Sequence, residues 1–214
     1  MVTKTKQKGS KALDVTVPGG HIEMLRHIRL EDFSPNPYQP ESRHQVAEET
    51  ARKFGLSILE HGLLQTPVAR LVLGDGAISQ ERVENGRYEI GDGWLRLAGF
   101  RYLAAKGNRE FDKMPVMVRE LTDQQMADLV MEANTVRQDL TPLDLAKFYK
   151  RYLEDFGITQ VELARRHNCS QGEIANTIRL LELPGDIQEK IISREISETH
   201  GRQLLTPAEQ GRLI

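Results

Sequence analysis

The chain has 214 residues, with 29 basic and 31 acidic side chains and a formal net charge of −2. At about 150 residues per domain, this length allows one large domain or two small ones. No apolar run approaches the ~18 residues of a membrane span, and the near-zero charge requires any nucleic-acid contact to use a local surface. The N-terminus lacks the apolar stretch of a secretion signal, and the single cysteine, Cys169, excludes an intrachain disulfide. We therefore expect a cytoplasmic protein without membrane association.

The N-terminal half begins with a basic segment followed by a strand and a helix. Residues 1–20 carry four lysines and no apolar periodicity, which predicts a flexible tail, either a solvated leader or a partner contact. A strand is predicted at Ile22–Arg29. Ser42 is then predicted to be the N-cap of a helix whose apolar positions start at Val46 and which ends near His61-Gly62.

Alternating strand and helix patterns continue to residue 121. Two strands, Pro67–Leu73 and Arg87–Ile90, flank a polar stretch, Gly74–Gly86, which is either a surface loop or a partner-binding insertion. A helix at Trp94–Ala105 and a strand at Pro115–Leu121 follow. The order predicts a small mixed α/β domain.

The residues after 121 have the pattern of an all-helical segment. Capping boxes, in which a hydroxyl and a residue three positions later satisfy free N–H groups at a helix start, begin at Thr122, Thr159, Ser170 and Thr206. We place the boundary between the two halves near Thr135–Thr141. The last predicted helix, from Pro207, has barely begun at Ile214, which suggests a fragment of a longer protein.

The most informative segment is Thr159–Arg179, which predicts two short helices joined by a turn of three to four residues. Its mutual core is predicted to consist of Val161, Leu163, Ala164, Ile174 and Ile178. Asn168 lies where the turn needs a left-handed residue, a conformation that asparagine tolerates. The arrangement predicts a helix-turn-helix, whose second helix enters the major groove of DNA.

The second helix of this motif is expected to present polar groups to DNA. The predicted DNA-contacting residues are Gln160, Ser170, Gln171, Gly172, Glu173, Asn176, Thr177 and Arg179. Gln171 and Asn176 carry the paired donor and acceptor that match N6 and N7 of adenine, while Gln160 and Ser170 are suited to phosphate. The alternative is an ordinary helical hairpin, because residues 159–202 hold six basic and seven acidic side chains. Spacing, capping and the polar face favour DNA binding.

Several motifs in this order resemble those of the ParB family of chromosome- and plasmid-partition proteins. The helical half contributes Asn134–Pro142, the helix-turn-helix and Leu180-Leu181-Glu182-Leu183-Pro184. The first half contributes Asn36-Pro37-Tyr38-Gln39-Pro40, Gly62-Leu63-Leu64-Gln65, and Tyr88–Gly93 followed by Arg96. The chain is thereby identified as a divergent member of the family.

The resemblance implies an α+β protein. After the basic tail at 1–20, a mixed α/β, ParB-like nucleotide-binding domain would span residues 21–135. An all-α DNA-binding domain would follow at 136–214, with its helix-turn-helix at 159–182. The family binds double-stranded DNA at a palindromic site, parS, as a homodimer and works with a ParA-like ATPase. Its N-terminal domain binds CTP with Mg²⁺, which closes a clamp around DNA.

The resemblance also implies a nucleotide site. A triphosphate with Mg²⁺ carries about two net negative charges and needs cationic donors and backbone N–H groups. The residues carried over for this role are Gly62, Gln65, Gly93, Arg96, Asn134 and Arg137. Arg96 and Arg137 would hold phosphates, Gly93 would let the backbone approach them, and Asn134 would offer an oxygen to the metal. Apart from the resemblance, Arg96 has the pattern of a solvated helix-face residue and Arg137 that of a linker ion pair.

Three departures from the family motifs bear on this site. Gly-Glu-Arg-Arg is replaced by Gly93-Trp94-Leu95-Arg96, Glu-Asn-x-x-Arg has Ala133 in place of its acid, and the arginine after Gln-Pro is Glu41. Glu132 is adjacent to Ala133, but one step along a helix turns a side chain by about 100°, so we do not expect it to substitute. The departures predict weakened nucleotide binding and poor or absent CTP hydrolysis.

Two other functions remain open at this point. A ParB-like transcriptional regulator would use the same helix-turn-helix on an operator without a nucleotide switch. ParB-like folds also occur in nucleotide-dependent kinases and in sulfiredoxin, but the N-terminal half lacks the reactive cysteine and the acidic residues that those activities need. A partition protein is the favoured interpretation.

Overall fold

The chain folds into two compact units, which a computed structural model describes at residues 14–16, 22–40, 45–72, 86–135 and 140–204. The sheet unit consists of Met1–Pro37 and Val46–Met126. The helical unit consists of Tyr38–Gln45 and Ala127–Ile214. The expected α+β class is confirmed, since a mixed sheet with helices precedes an all-helical segment.

The sheet unit is built on a mixed sheet of the order β1-β2-β6-β4-β5-β3 in the described residues. Its strands are β1 (Asp14–Thr16), β2 (Ile22–Arg29), β3 (Phe33–Ser34), β4 (Val68–Val72), β5 (Arg87–Asp92) and β6 (Lys113–Arg119). The pairs β3–β5 and β4–β6 are parallel, and the other neighbours are antiparallel. Alternate residues of β6, namely Met114, Val116 and Val118, point into the core, as the two-residue period of a strand requires.

Two helices, α1 (Glu48–His61) and α2 (Trp94–Ala105), pack against each other beside this core. A pair of glycines permits their close approach. A Cβ atom on Gly99 would lie 2.9 Å from the Gly55 nitrogen, and one on Gly55 would lie 3.2 Å from the Gly99 carbonyl oxygen. Ile58 and Leu103 fill the interface on either side and are almost fully buried.

Most predicted elements of this unit are confirmed, with shifted ends. The bounds of β2 and α2 are as predicted, and β4, β5 and β6 differ from the predicted strands by one to two residues at an end. Helix α1 ends at His61 before Gly62 but begins at Glu48 with Ala47 as its N-cap, so Val46 precedes it. Ala47 therefore takes the capping position that was predicted for Ser42. Ser42 itself and residues 74–85 of the predicted polar loop lie outside the described residues.

The predicted tail contains one further strand. Asp14–Thr16 pairs antiparallel with β2, in a register that sets Asp14 opposite Met24. The pairing uses backbone hydrogen bonds at a sheet edge, which need no apolar periodicity in the added strand. The polarity of residues 1–20 therefore did not reveal the strand at Asp14–Thr16. The rest of that segment lies outside the described residues.

Arg70 on β4 connects the sheet to the helix that follows β6 in the chain. Its guanidinium lies 2.7 Å from the Glu89 carboxylate on β5 and 2.7 Å from the Asp123 carboxylate, and its side chain is 12% exposed. Asp123 is the first residue of α3 (Asp123–Thr135). Because a planar guanidinium can bind two carboxylates at once, this side chain links the first residue of α3 to the sheet.

The helical unit continues with five helices in the described residues. They are α4 (Pro142–Phe156), α5 (Gln160–Arg166), α6 (Gln171–Arg179), α7 (Gly185–Ile192) and α8 (Glu198–Gln203). Tyr38 belongs to this unit: its ring centroid lies 5.8 Å from that of Phe156, and the Arg151 guanidinium lies 5.2 Å from the Tyr38 ring. Among the described helices, none is long and apolar enough to cross a membrane.

The predicted helix caps are confirmed where they are described. The Gln125 backbone N–H donates to the Thr122 hydroxyl and the Thr122 N–H donates to the Gln125 amide oxygen, which is a reciprocal capping box. Thr159 and Ser170 accept from the N–H groups of Glu162 and Glu173. The box at Thr206 and the helix from Pro207 lie outside the described residues.

Substitution of Gly99 by alanine should destabilise the sheet unit by about 1–3 kcal/mol, because the added methyl group meets the backbone of α1. Chemical denaturation measures the change. Ser57→Ala on the exposed side of α1 is the control, with an expected effect within about 0.5 kcal/mol. Equal stability of the two variants would show that α1 and α2 can separate without cost.

Candidate nucleic-acid interface and nucleotide site

The helix-turn-helix is formed by α5, residues 167–170 and α6. Asn168 adopts the left-handed conformation with φ of 52°, and the Cys169 N–H donates to the Ala164 carbonyl at 3.0 Å. Leu163, Ala164 and Ile174 are buried between the helices, as predicted. Val161 is 66% exposed, so its predicted place in the core is wrong. Two residues before Leu163, it is turned by about 200° and faces outward.

The exposed face of α6 carries most of the predicted DNA-contacting residues. Gln171, Gly172, Glu173 and Arg179 are exposed, and Asn176 is half-buried. Thr177 is only 3% exposed, which overturns its predicted outward position. It follows the fully buried Ile174 by three residues and therefore lies on the same side of the helix.

A hydrogen bond joins the first residues of the two helices. The Gln171 amide nitrogen (Nε2) donates to the Gln160 amide oxygen (Oε1) at 2.8 Å. Ser170 caps α6 through its Oγ, which accepts from the Glu173 N–H at 3.1 Å. Gln160, Ser170 and Gln171 therefore lie together at one end of the motif. No sequence pattern indicates the glutamine pair, because it depends on how α5 and α6 cross.

In the sheet unit, three of the predicted nucleotide-site residues lie together. Arg96 on α2 donates to the Gln65 amide oxygen and forms an ion pair with Asp92 at 3.2 Å. Arg96 and Asp92 side chains are each 12% exposed. The guanidinium is thus neither free nor fully solvated, contrary to the ordinary helix-face role considered above. Gly62 ends α1 three residues before Gln65.

Gly93 is required at the start of α2 by its backbone and its neighbours. Its φ is 105°, a left-handed value that disfavours any side chain. A Cβ atom there would lie 2.6 Å from the Pro67 Cβ and 3.1 Å from the Arg96 Nη1. The glycine therefore brings the backbone at the start of α2 close to the Arg96 guanidinium.

Asn134 belongs to the helical unit and is 5% exposed. Its amide nitrogen donates to the Val130 carbonyl at 2.7 Å. Glu132, which we did not expect to contribute, lines the same cleft of about 820 Å³ as Asn134. Arg137 lies outside the described residues.

His167 is surrounded by aromatic rings and one carboxylate. Its ring centroid lies 5.8 Å from that of Tyr152, and its Nε2 lies 3.8 Å from Asp128 Oδ1, which also accepts from the Tyr152 hydroxyl at 2.6 Å. Burial lowers the pKa of His167, the Asp128 charge opposes that change, and the Arg166 charge adds to it. The thiol of nearby Cys169 has a raised pKa, chiefly from burial, and is therefore poorly suited to act as a nucleophile.

Both units match sequence models of one family. The model described as the ParB N-terminal domain matches residues 16–135, and the ParB HTH domain matches residues 138–213. The chain belongs to the ParB family. The family resemblance inferred from the motifs is thereby confirmed.

ParB-family relatives extend over most of this chain. Stage 0 sporulation protein J of Bacillus subtilis is 34% identical over 191 residues, covering 89% of this chain and 61% of its own length. A nucleoid occlusion protein of Geobacillus kaustophilus is 33% identical over 183 residues, covering 86% of this chain and 58% of its own length. The chain therefore spans about three-fifths of the length of these relatives.

Solved ParB structures are also similar. C-terminally truncated ParB from Caulobacter crescentus, complexed to the centromeric parS site, is 30% identical with a TM-score of 0.54 and covers 84% of this chain and 83% of that one. The same Caulobacter protein complexed with CTP-γ-S is 31% identical, with a TM-score of 0.38, covering 89% of this chain and 94% of that one.

The helical unit should lose stability as the pH falls below about 6.5. Because the pKa of His167 is lowered in the folded state, the unfolded chain takes up a proton first, and protonation favours unfolding. Urea denaturation at pH 7.5 and 5.5 should show a smaller loss in His167→Gln than in the unsubstituted chain. His61→Gln on α1 is the control, and an unchanged pH dependence in His167→Gln would contradict the assignment.

Proposed function

We propose that this chain binds a parS-like palindromic DNA site in DNA segregation, through the exposed first turn of α6. The observation that carries the proposal is a helix-turn-helix of the ParB type whose second helix begins with exposed Gln171, Gly172 and Glu173. The Caulobacter neighbour in complex with parS supports this choice of ligand. The proposal retains the division into domains at residues 21–135 and 136–214.

The polar groups of the motif are suited to different parts of a DNA duplex. Gln171 and Asn176 can each pair with an adenine edge, and Glu173 can accept from the cytosine amino group. Gln160, Ser170 and Arg179 are suited to phosphates, because they offer donors at the rim of the exposed face. Thr177 is excluded from this set by its burial.

Binding as a homodimer follows from how little DNA one short helix can read. A single recognition helix contacts too few base pairs for specificity, and two related by a dyad read a palindrome. The contacts between protomers and the ParA-like ATPase partner remain parts of the proposal that rest on family membership.

We propose further that CTP binds beside Arg96, with lower affinity than the intact family motif would provide. Arg96 and the close backbone at Gly93 fit a triphosphate. However, Asp92 already neutralises the guanidinium, and Gln65 also accepts from it. The phosphate oxygens of CTP must compete with the partly buried Asp92 carboxylate for the Arg96 guanidinium. This competition lowers the free energy that the nucleotide gains on binding.

The donor set suits Mg²⁺ only as a complex with the nucleotide. Asn134 offers one amide oxygen, and Ala133 offers no ligand in place of the family's acid. In the described part of the chain, no group of three His, Cys, Asp or Glu side chains is placed to hold a metal. The phosphates would supply most of the ligands, and the ion would reduce their negative charge.

A ParB-like transcriptional regulator is the second candidate, favoured by the Asp92–Arg96 ion pair that opposes a nucleotide switch. Footprinting of DNA around a bound site distinguishes the two functions. Protection that spreads over kilobases indicates a partition clamp, whereas protection confined to one site indicates a regulator.

Substitution of Gln171 or Asn176 by alanine should weaken specific DNA binding by about 1–3 kcal/mol and spare non-specific binding. The site is first selected from a library of randomised duplexes, and affinities are then measured by fluorescence anisotropy. Gln124→Ala, the same chemical change on α3, is the control. Equal losses on specific and non-specific DNA would contradict base readout, and failure to enrich any palindrome would contradict the proposed function.

Arg96→Ala should lower the affinity for CTP with Mg²⁺ at least about tenfold, since a charged hydrogen bond contributes about 1.5–3 kcal/mol. Calorimetric titration measures it, with ATP as the competing nucleotide and Arg52→Ala on α1 as the control. DNA binding by α6 should persist in the variant. Steady CTP turnover by the unsubstituted chain, at the rate of an intact family member, would contradict the weakened site.

A further inference from the structure

We propose that Gln160 is a positioning residue that fixes the amide orientation of Gln171 and thereby makes Gln171 read adenine. The inference rests on the proposed DNA binding and deepens it. It starts from one contact, the hydrogen bond of 2.8 Å from Gln171 Nε2 to Gln160 Oε1.

The backbone on both sides of this contact is held in place. Gln160 and Gln171 are the first residues of α5 and α6, and each follows a capping residue, Thr159 or Ser170. The helices are locked by buried Leu163 and Ile174, both of which have no exposed surface. Because the two Cα positions are fixed, a hydrogen bond between the side chains selects one arrangement of otherwise flexible groups.

The selected arrangement has a definite chemical meaning. A glutamine amide has two donors on nitrogen and an acceptor oxygen. Donating one hydrogen to Gln160 leaves Gln171 one N–H and its carbonyl oxygen, which match adenine N7 and the adenine amino group. The amide of Gln160 keeps both of its own hydrogens for a phosphate.

The reverse arrangement would also permit a second base. If Gln160 donated and Gln171 accepted, Gln171 would keep both of its N–H donors for DNA, together with the second lone pair of its oxygen. Two donors match N7 and O6 of guanine, which are both acceptors. The observed direction leaves Gln171 only one N–H, too few for the two guanine acceptors. Gln160 therefore restricts Gln171 to adenine, although Gln160 itself touches no base.

Three substitutions of Gln160 separate positioning from phosphate contact. Gln160→Glu introduces a carboxylate that can only accept, so it keeps the observed direction while removing the phosphate donor. Gln160→Met removes both groups at similar length. Gln160→Lys introduces a group that can only donate, so it forces Gln171 to accept. Thermal unfolding of each variant confirms that the substitution leaves the fold intact.

The Gln171→Ala variant first identifies the position in the selected site at which base discrimination is lost. The measured quantity is then the ratio of the affinities for two duplexes, one with adenine and one with guanine at that position. We expect Gln160→Glu to keep the adenine preference while weakening binding to all DNA. Gln160→Met should reduce the preference at least about fivefold, and Gln160→Lys should reduce it further or reverse it. A merely structural role or a phosphate contact would change all affinities together and leave the ratio unchanged.

An unchanged ratio in both Gln160→Met and Gln160→Lys would overturn the inference and leave Gln160 as a phosphate contact. That result is distinct from failure of the proposed function, in which the unsubstituted chain would show no preferred site. A preference in the unsubstituted chain for guanine over adenine at this base would likewise overturn the assigned direction of the hydrogen bond.

Discussion

The helix-turn-helix depends on one tight turn. Asn168, at a φ of 52°, lets the chain reverse between α5 and α6 within four residues, and the Cys169 N–H donates back to Ala164. The turn holds Leu163 and Ile174 in one buried layer and fixes the angle at which α6 emerges. The exposure of Gln171, the burial of Thr177 and the pairing of Gln160 with Gln171 are consequences of that angle.

The sheet unit is organised by charge rather than by a turn. Arg70 satisfies Glu89 and Asp123 together, and Arg96 is paired with Asp92. All of these groups except Asp123 are largely buried, where an unpaired charge is costly. The ion pairs of Arg70 link the start of α3 to the sheet. The ion pair between Arg96 and Asp92 occupies the group that the family resemblance assigns to a phosphate, so the chemistry that stabilises this unit would compete with the proposed nucleotide.

Sequence reasoning was reliable where the determinant was local. The bounds of α2 and β2 and the caps at Thr122, Thr159 and Ser170 depend on a few adjacent residues, and each was predicted. It was unreliable for features set by packing. Polarity suggested that Thr177 faces DNA, but the position of Ile174 one turn earlier decides otherwise. The start of α1 at Glu48 was also missed, because Ala47 is not a typical N-cap.

Only part of each candidate site could be predicted from the sequence. Motif order identified Gln65, Gly93 and Arg96, which the fold brings together. The neutralising role of Asp92 and the hydrogen bond between Gln160 and Gln171 require distances between elements, which no sequence pattern states.

The path of the chain between the two units has an evolutionary consequence. Asn36 is anchored to the Ile90 carbonyl in the sheet unit, yet Tyr38, two residues later, packs on Phe156 in the helical unit. A recombination event between residues 127 and 140 that replaced the C-terminal part of the chain would leave Tyr38–Gln45 with the sheet unit. That segment would then be separated from the helical unit to which it belongs. The two units are therefore expected to be inherited together and to diverge in step, rather than to be exchanged as independent modules.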